Sequence, residues 1–434
     1  MSNKEESLGH VSHLECLNCG EKYTLQRLIK EQGSILVNIC YDMCMGPLDV
    51  KYDYEGICSI LTQEEISKRP DTFWKLKELL PANEINVASD RPFTPLVESK
   101  EIGKKLGIRL YFKLDCNNLP TSSFKDRPVA LAFNRAIESG YDTVYVASTG
   151  NLAIATAFQA MECGFKIHAY VPNSLGKIKK DAIRKYLPHG TFNELDLSYD
   201  DCNILSMKEC DAHNEASGKK HCFVPNNSFR PFYKEGSKTS GFEIAFQLQK
   251  KGISGEAHVF YPLGSGALFC SAYKGFNELG MLGLSNLKPR MWGIQPEQCS
   301  PIIDAIGKED IVPVKNPKTI AKSIAIGKPG SGHQSLDVMA KSNGGGFKVS
   351  EKEILENNLD LYFSEGIFCQ FVGGTVMAGI KKAVKEGKIK KGEVVVANIT
   401  GTGKGRIEDD LLEISEEFGY KEKAEQLLKE VGAW

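Results

Sequence analysis

Short apolar runs alternate with longer segments of helical periodicity through the first half of the chain. Strands are predicted for the apolar runs at residues 108–113, 143–147, 166–171 and 191–195. Helices are predicted for the segments between and after them, at residues 128–138, 152–162, 177–186 and 200–213. Strands that alternate with helices of about 10 to 15 residues predict an open parallel sheet with helices on both faces.

The second half repeats this alternation less regularly. A helix is predicted over residues 235–250, and strands over residues 258–263, 290–294 and 394–400. Residues 300–345 are rich in Gly, Pro, Lys and Ser, which predicts a loop-rich segment that carries a mobile part of a site. Ahead of both α/β units, the apolar run at 73–80 predicts a helix that Pro81 ends.

Charge and composition exclude several classes of partner. The 434 residues include 54 Lys and Arg against 55 Asp and Glu, for a net charge of −1, so neither nucleic acid nor an anionic membrane is expected as a partner. No apolar window is long enough to cross a bilayer, and the polar start after Met1 lacks the apolar core of a secretory signal. Thirteen cysteines, an odd number, favour reduced thiols and a cytoplasmic protein.

Four of these cysteines form two close pairs near the start of the chain. Cys16 and Cys19 are followed by a glycine, and Cys40 and Cys44 form a second pair with one more intervening residue. Two pairs of thiolates are what tetrahedral zinc requires, so the pattern predicts a zinc ribbon. The alternative is a small β-ribbon that has lost its metal and keeps the cysteines as small buried residues.

A lysine just before a predicted helix is the leading candidate for chemistry. Lys125 is preceded by Ser122 and Ser123, and Pro128 suits the first turn of the helix that follows. A lysine attacks an aldehyde only as the free amine, so its surroundings must lower its pKa.

Three further motifs stand where predicted strands end, which is where open α/β sheets bind ligands. They are Ser148-Thr149-Gly150-Asn151, Gly264-Ser265-Gly266-Ala267-Leu268 and Thr400 with the Gly-Thr-Gly that follows it. The first two lead into helices, whose first N–H groups and dipole favour an anion.

In this order the four motifs resemble those of pyridoxal-phosphate enzymes of the tryptophan-synthase-β fold type, and specifically the threonine synthase family. The similarity covers roughly residues 90–410, and relatives often carry a similar N-terminal ribbon. The resemblance implies an N-terminal segment at 1–60, a large cofactor-binding domain from 86–127 and 226–434, a small α/β domain at 128–225, and a homo-oligomer.

The resemblance also implies roles for individual residues. Lys125 would hold the cofactor's aldehyde, Asn151 its 3′-oxygen and Thr400 its pyridine nitrogen, while residues 264–268 would cradle its phosphate. A threonine hydroxyl leaves that nitrogen unprotonated, which suits elimination and replacement better than transamination. The substrate carboxylate would lie at Ser148, Thr149 and Gly150.

Several positions depart from the family pattern. Where threonine synthases typically have Asn and then Arg, this chain has Arg230 and Tyr233, and Ala267 and Leu268 replace a Gly and an Asn. Ser122 stands where relatives often have glycine. These departures imply a rearranged anion site, with Arg230 and the strand residue Lys113 as candidate cations; the alternative is drift under an unchanged activity.

Within the family the chain resembles the methanogen branch that makes cysteate from O-phosphoserine and sulfite, which implies a β-replacement in coenzyme M biosynthesis. Threonine synthesis from O-phosphohomoserine is the alternative. A third possibility, from another class, is a zinc-binding regulatory protein whose enzyme domain is inactive.

Overall fold

A computed structural model describes residues 7–432 apart from 33–34, 43, 88–90, 149, 188–189, 227 and 229, so Thr149 lies outside the described residues. The chain packs into two compact units. Unit 1 comprises Met1–Phe93, Leu119–Thr121 and Lys125–Thr239; unit 2 comprises Thr94–Asn118, Ser122–Phe124 and Ser240–Trp434. The three-part division expected from the sequence stays a prediction.

The strands, in chain order, are β1 Val11–Cys16, β2 Lys22–Thr24, β3 Leu48–Tyr52, β4 Leu96–Glu98, β5 Arg109–Leu114, β6 Thr143–Ala147, β7 Lys166–Pro172, β8 Gly190–Leu195, β9 Cys222–Phe223, β10 Gly255–Pro262, β11 Leu287–Pro296, β12 Gly345–Val349 and β13 Val394–Ile399. The α-helices are α1 Leu25–Gln32, α2 Tyr54–Ile60, α3 Gln63–Lys68, α4 Ile102–Leu106, α5 Asp126–Glu138, α6 Asn151–Cys163, α7 Lys177–Arg184, α8 Tyr199–Ser217, α9 Arg230–Lys250, α10 Ala267–Met281, α11 Gly332–Lys341, α12 Glu351–Glu365, α13 Phe371–Lys385, α14 Glu408–Glu417 and α15 Lys421–Glu430.

Unit 1 contains two sheets. A small antiparallel sheet has the order β2-β1-β3, and its register pairs Cys16 with Leu48. A parallel sheet has the order β8-β7-β6-β9. Every residue of β6 is buried, as expected for a strand covered on both faces by helices.

Unit 2 is built on one six-stranded sheet with the order β12-β11-β10-β13-β5-β4. All its pairs are parallel except β4 with β5. β13 lies in the interior of this sheet and all six of its residues are buried, so the residue that follows it, Thr400, leaves the sheet from the middle of the core.

The predicted alternation of strands and helices is confirmed throughout residues 108–213, and the later strands are confirmed as well. The helix predicted over 73–80 is wrong, because the chain there forms turns and a 3₁₀ segment, Lys77–Leu79. The loop-rich segment 300–345 contains the helix α11, and α9 begins five residues earlier than predicted. Among the described helices, none combines the length and apolar character needed to cross a bilayer.

Candidate active site

Lys125 stands immediately before α5 and is half-buried. Burial lowers the pKa of its ammonium group to about 8, because the charged form loses solvation. Its Nζ donates a hydrogen bond of 3.5 Å to the hydroxyl of Tyr233, on the first turn of α9. Lys125 therefore has the lowered pKa that an amine nucleophile needs near neutral pH.

A set of hydrogen bonds fixes the backbone around Lys125. The Asp126 carboxylate accepts from the Thr121 N–H at 3.1 Å and from the Thr121 hydroxyl at 2.7 Å, and Arg127 donates to the Thr239 hydroxyl at 3.0 Å. A Cβ on Gly236 would lie 2.6 Å from the carbonyl oxygen of Arg127. Only glycine permits this approach of α9 to the start of α5, which is what brings Tyr233 to Lys125.

The loop after β6 ends at the N-terminus of α6, as predicted. Ser148 is buried, and its hydroxyl accepts a hydrogen bond of 3.2 Å from the Gly150 N–H. Asn151 is the first residue of α6 and is half-buried. Unit 1 thus places a helix N-terminus and the Asn151 amide at the carboxyl end of a parallel strand, although assignment of a ligand to them stays a prediction.

In unit 2 the turn of residues 264–266 joins β10 to α10. Gly266 has a φ of +84°, and a Cβ there would lie 2.3 Å from Ser335 Oγ and 2.9 Å from the Ser331 carbonyl oxygen. The Ser331 N–H also donates to the Ser265 carbonyl at 2.9 Å. The start of α11 therefore closes one side of the turn, and glycine is required for both the conformation and the space.

Thr400, also in unit 2, follows β13 directly. The residue is buried, and among the described residues its hydroxyl makes no hydrogen bond, while its carbonyl oxygen accepts from the Phe124 N–H at 2.9 Å. The Thr402 N–H donates to the Ser122 carbonyl at 3.0 Å, and Ser122 has a φ of +59°. Residues 122–124, which directly precede Lys125, are thus hydrogen-bonded through their main chain to the segment that contains Thr400.

Each unit, taken by itself, contains donors of the kinds that the cofactor implied by the resemblance would use. Unit 1 supplies the amine of Lys125 and the Asn151 amide. Unit 2 supplies the first N–H groups of α10, which follow a turn that only glycine fits and which suit a phosphate. It also supplies the hydroxyl of Thr400, which makes no hydrogen bond among the described residues. Ala267 and Leu268 occupy the first two positions of α10, where main-chain N–H groups have no acceptor within the helix. The Ala267 N–H donates a hydrogen bond of 3.4 Å to the Ser265 hydroxyl.

Lys113, which the sequence predicted as a cation for the substrate, is buried and bonded within unit 2. Its side chain is fully buried, and its Nζ donates to Glu243 at 2.6 Å, to the Thr94 carbonyl at 2.7 Å and to Gln247 at 2.8 Å. All three N–H donors of the ammonium group are occupied. We therefore correct the assignment: Lys113 is a structural cation of unit 2.

Arg230 is the first residue of α9 and is half-buried. It lies three residues before Tyr233, so the two side chains share one helix face. The Arg230 N–H donates to the side-chain oxygen of Asn38 at 3.0 Å. Sequence reasoning missed Asn38, because nothing in the local pattern of its loop indicates a contact 192 residues away.

The four N-terminal cysteines come together in unit 1. The sulfur atoms of all four lie within 4.8 Å of one another, with 3.4 Å between Cys16 and Cys44 and 3.7 Å between Cys19 and Cys40. A second group, missed from the sequence, joins His213, His221 and Cys222 within the same distance, and its members come from α8 and the start of β9.

Comparisons with known proteins agree with this geometry. The family model described as "Pyridoxal-phosphate dependent enzyme" matches residues 88–401. The chain is 34% identical over 393 residues to the threonine synthase of Methanosarcina acetivorans, covering 90% of this chain and 91% of the relative. It is 33% identical over 394 residues to the threonine synthase of Methanocaldococcus jannaschii, covering 89% and 91%.

Two solved structures show the same fold. The threonine deaminase isoform 2 of Solanum lycopersicum is 21% identical, with a TM-score of 0.61 over 75% of this chain and 88% of that one. The diaminopropionate ammonia lyase of Escherichia coli is 17% identical, with a TM-score of 0.63 over 76% and 89%. The fold is that of tryptophan synthase β, with mixed α/β units on parallel sheets, and the chain belongs to the family of pyridoxal-phosphate dependent enzymes.

Proposed function

We propose that this enzyme is a cysteate synthase, which replaces the phosphate of O-phospho-L-serine with sulfite to give L-cysteate. The observation that carries the proposal is the 3.5 Å contact between Tyr233 and Lys125. At this position threonine synthases typically have the arginine that helps to bind the phosphate of O-phosphohomoserine. A buried phenol in contact with the reactive amine offers that phosphate no positive charge.

When bound, pyridoxal phosphate stabilises negative charge at the α-carbon of an amino acid. Lys125, as the free amine, removes the α-proton and later returns it. The bond between Cβ and the phosphate oxygen breaks with its electron pair on phosphate, and the sulfur lone pair of sulfite forms the new bond at Cβ. The Tyr233 hydroxyl orients the amine during both proton transfers.

The cation that the family arginine would supply is moved by one helical turn. Arg230 at the start of α9 retains a positive charge on the same helix face as Tyr233, and we assign it to the phosphate of the substrate with the shorter carbon chain. Ser148 and the N-terminus of α6 are the proposed partners of the substrate carboxylate, with Ser122 as a further contact. We assign the cofactor phosphate to the main-chain N–H groups at the start of α10, where the N–H of Ala267 would exchange its 3.4 Å contact with Ser265 for the phosphate.

Threonine synthase is the second candidate, and the names of the relatives at 30–34% identity favour it. That reaction uses O-phospho-L-homoserine and water. It needs a pocket one methylene longer and an additional proton removal at Cβ.

The product formed from each phospho-amino acid, with and without sulfite, separates the two candidates. We expect cysteate and phosphate from O-phosphoserine with sulfite, and none from Lys125→Ala. Threonine released from O-phosphohomoserine would overturn the proposal. A purified protein that stays colourless with added pyridoxal phosphate would instead indicate the inactive regulatory protein.

We also propose zinc as a structural ion at Cys16, Cys19, Cys40 and Cys44. Zinc–sulfur bonds of about 2.3 Å in a tetrahedron place the sulfur atoms roughly 3.8 Å apart. The separations of 3.4 Å and 3.7 Å within the cluster support this geometry, since sulfur atoms in a disulfide lie about 2 Å apart.

A further inference from the structure

The loop that carries Cys40 is tied to the start of α9 in unit 1. Between α1 and β3, the described residues form no helix or strand. Asn38, two residues before Cys40, accepts the hydrogen bond of 3.0 Å from the Arg230 N–H. The first N–H groups of a helix have no partner within it, so Asn38 caps α9 from a distant part of the chain.

A second tie lies one turn further along α9. Tyr52, the last residue of β3, donates a hydrogen bond of 2.7 Å to Glu235. Glu235 also accepts from Lys238 at 2.6 Å, and the Lys238 Nζ lies 4.3 Å from the centre of the Tyr52 ring. All three side chains are buried, so this contact joins the small antiparallel sheet firmly to α9.

The residues that make these two contacts with α9, Asn38 and Tyr52, are held in place by different parts of the structure. Tyr52 belongs to a sheet strand and is fixed by its pairing with β1. Asn38 lies in the irregular loop, where Cys40 has a main-chain hydrogen bond of 2.8 Å to Gly46 and lies 3.0 Å from the Tyr23 hydroxyl. A metal shared by the four cysteines would cross-link this loop to the end of β1, which restricts Asn38 to the position that caps α9.

We propose that the metal-bound cysteine cluster is a positioning element for the substrate-binding start of α9, acting through Asn38. The inference rests on the proposed zinc site and on the proposed roles of Arg230 and Tyr233. Loss of the metal frees the Asn38 loop, uncaps α9 and displaces Arg230, while the Tyr52 contact keeps the rest of the helix in place. The enzyme without metal then binds its anionic substrate more weakly but remains folded.

The test compares four variants of the full-length enzyme. Cys44→Ser removes an exposed metal ligand, and Cys58→Ser, an exposed cysteine of α2, is the matched control. Asn38→Ala removes the cap without touching the metal ligands. Asn38→Asp keeps an acceptor oxygen in the same place and is the rescue variant.

The first readout is amide hydrogen exchange of residues 230–236, combined with the metal content of each protein. We expect one zinc per chain in the parent, the Cys58→Ser control and both Asn38 variants, and none in Cys44→Ser. Exchange in the first turn of α9 should accelerate about fivefold in Cys44→Ser and Asn38→Ala, the effect of losing one hydrogen bond of roughly 1 kcal/mol. Asn38→Asp and Cys58→Ser should exchange like the parent.

The second readout is steady-state kinetics with the phospho-amino acid that the enzyme uses. KM should rise severalfold in Cys44→Ser and Asn38→Ala with kcat nearly unchanged. Unchanged exchange in a metal-free Cys44→Ser protein, or a parent enzyme that holds no metal, would overturn the inference. Because exchange does not depend on which substrate is turned over, failure of the cysteate proposal remains distinguishable from failure of this one.

Discussion

Lys125 Nζ and the Tyr233 hydroxyl lie 3.5 Å apart, although 108 residues separate them in the chain. The close approach of α9 to α5 at Gly236 makes this contact possible, so the partner of the Lys125 amine is set by backbone packing. The contact also links the side chain of Lys125 to the helix that begins with Arg230.

Removing the Tyr233 hydroxyl should slow turnover and leave the fold intact. We expect Tyr233→Phe to lower kcat about tenfold, because the amine loses the hydrogen bond that orients it for proton transfer. Tyr186→Phe is a suitable control, since that hydroxyl makes no hydrogen bond among the described residues. A Tyr233→Phe enzyme with parental kcat would show that the contact has no role in the reaction.

The lowered pKa of Lys125 predicts how the protein without cofactor reacts with pyridoxal phosphate at different pH values. Only the free amine attacks an aldehyde, and it predominates above the pKa, so the rate of colour formation should rise with pH through a midpoint at about 8 and then level off. An exposed lysine would place the midpoint near 10.4. A midpoint close to that value would mean that burial does not tune this lysine.

Substitutions at Ser122 should affect stability through the backbone conformation of this residue. Its φ of +59° costs a non-glycine residue roughly 1 kcal/mol of conformational energy, which glycine avoids. Glycine also gives the unfolded chain more conformational entropy, which lowers the free energy of unfolding and offsets that gain. We expect Ser122→Gly to change the free energy of unfolding by less than about 0.5 kcal/mol and Ser122→Val to lower it by about 2 kcal/mol.

The same position tests the proposed contact with substrate. If the Ser122 hydroxyl binds the phospho-amino acid, Ser122→Gly and Ser122→Ala should raise KM alike. A rise in Ser122→Ala alone would assign the effect to the backbone.

The buried pair of Lys113 and Glu243 should affect stability and not substrate affinity. Lys113→Met leaves the Glu243 carboxylate buried without its cation, which typically costs about 3–5 kcal/mol in the free energy of unfolding. Chemical denaturation should show this loss and its partial recovery in the double variant Lys113→Met, Glu243→Gln. A large rise in KM with unchanged stability would restore the role in substrate binding that the sequence predicted.

Much of the fold was predictable because local pattern determines it. The buried strands β6 and β13 are uninterrupted apolar runs, and strand residues of this kind stand out between helices of regular periodicity. The apolar run at 73–80 was wrongly predicted as a helix, because a short apolar run has the same pattern whether it forms a helix or packs as irregular chain.

The candidate site was predictable where main-chain geometry requires a residue type. Gly266 is such a position, because its φ and its closeness to Ser335 exclude any side chain. The setting of Lys113 was not predictable, since Glu243 is 130 residues distant and a strand lysine gives no sign of a buried partner. The cap that Asn38 provides for α9 is hidden in the sequence for the same reason.

The hydrogen bond between Thr400 and Phe124 involves only main-chain atoms. The side chain at position 400 can therefore be exchanged without removing this main-chain hydrogen bond. If Thr400 faces the cofactor's pyridine nitrogen, as the resemblance implies, cysteine or serine there would change the hydrogen bond offered to that nitrogen. Under that assignment, position 400 is a natural starting point for redirecting this scaffold to new amino-acid chemistry.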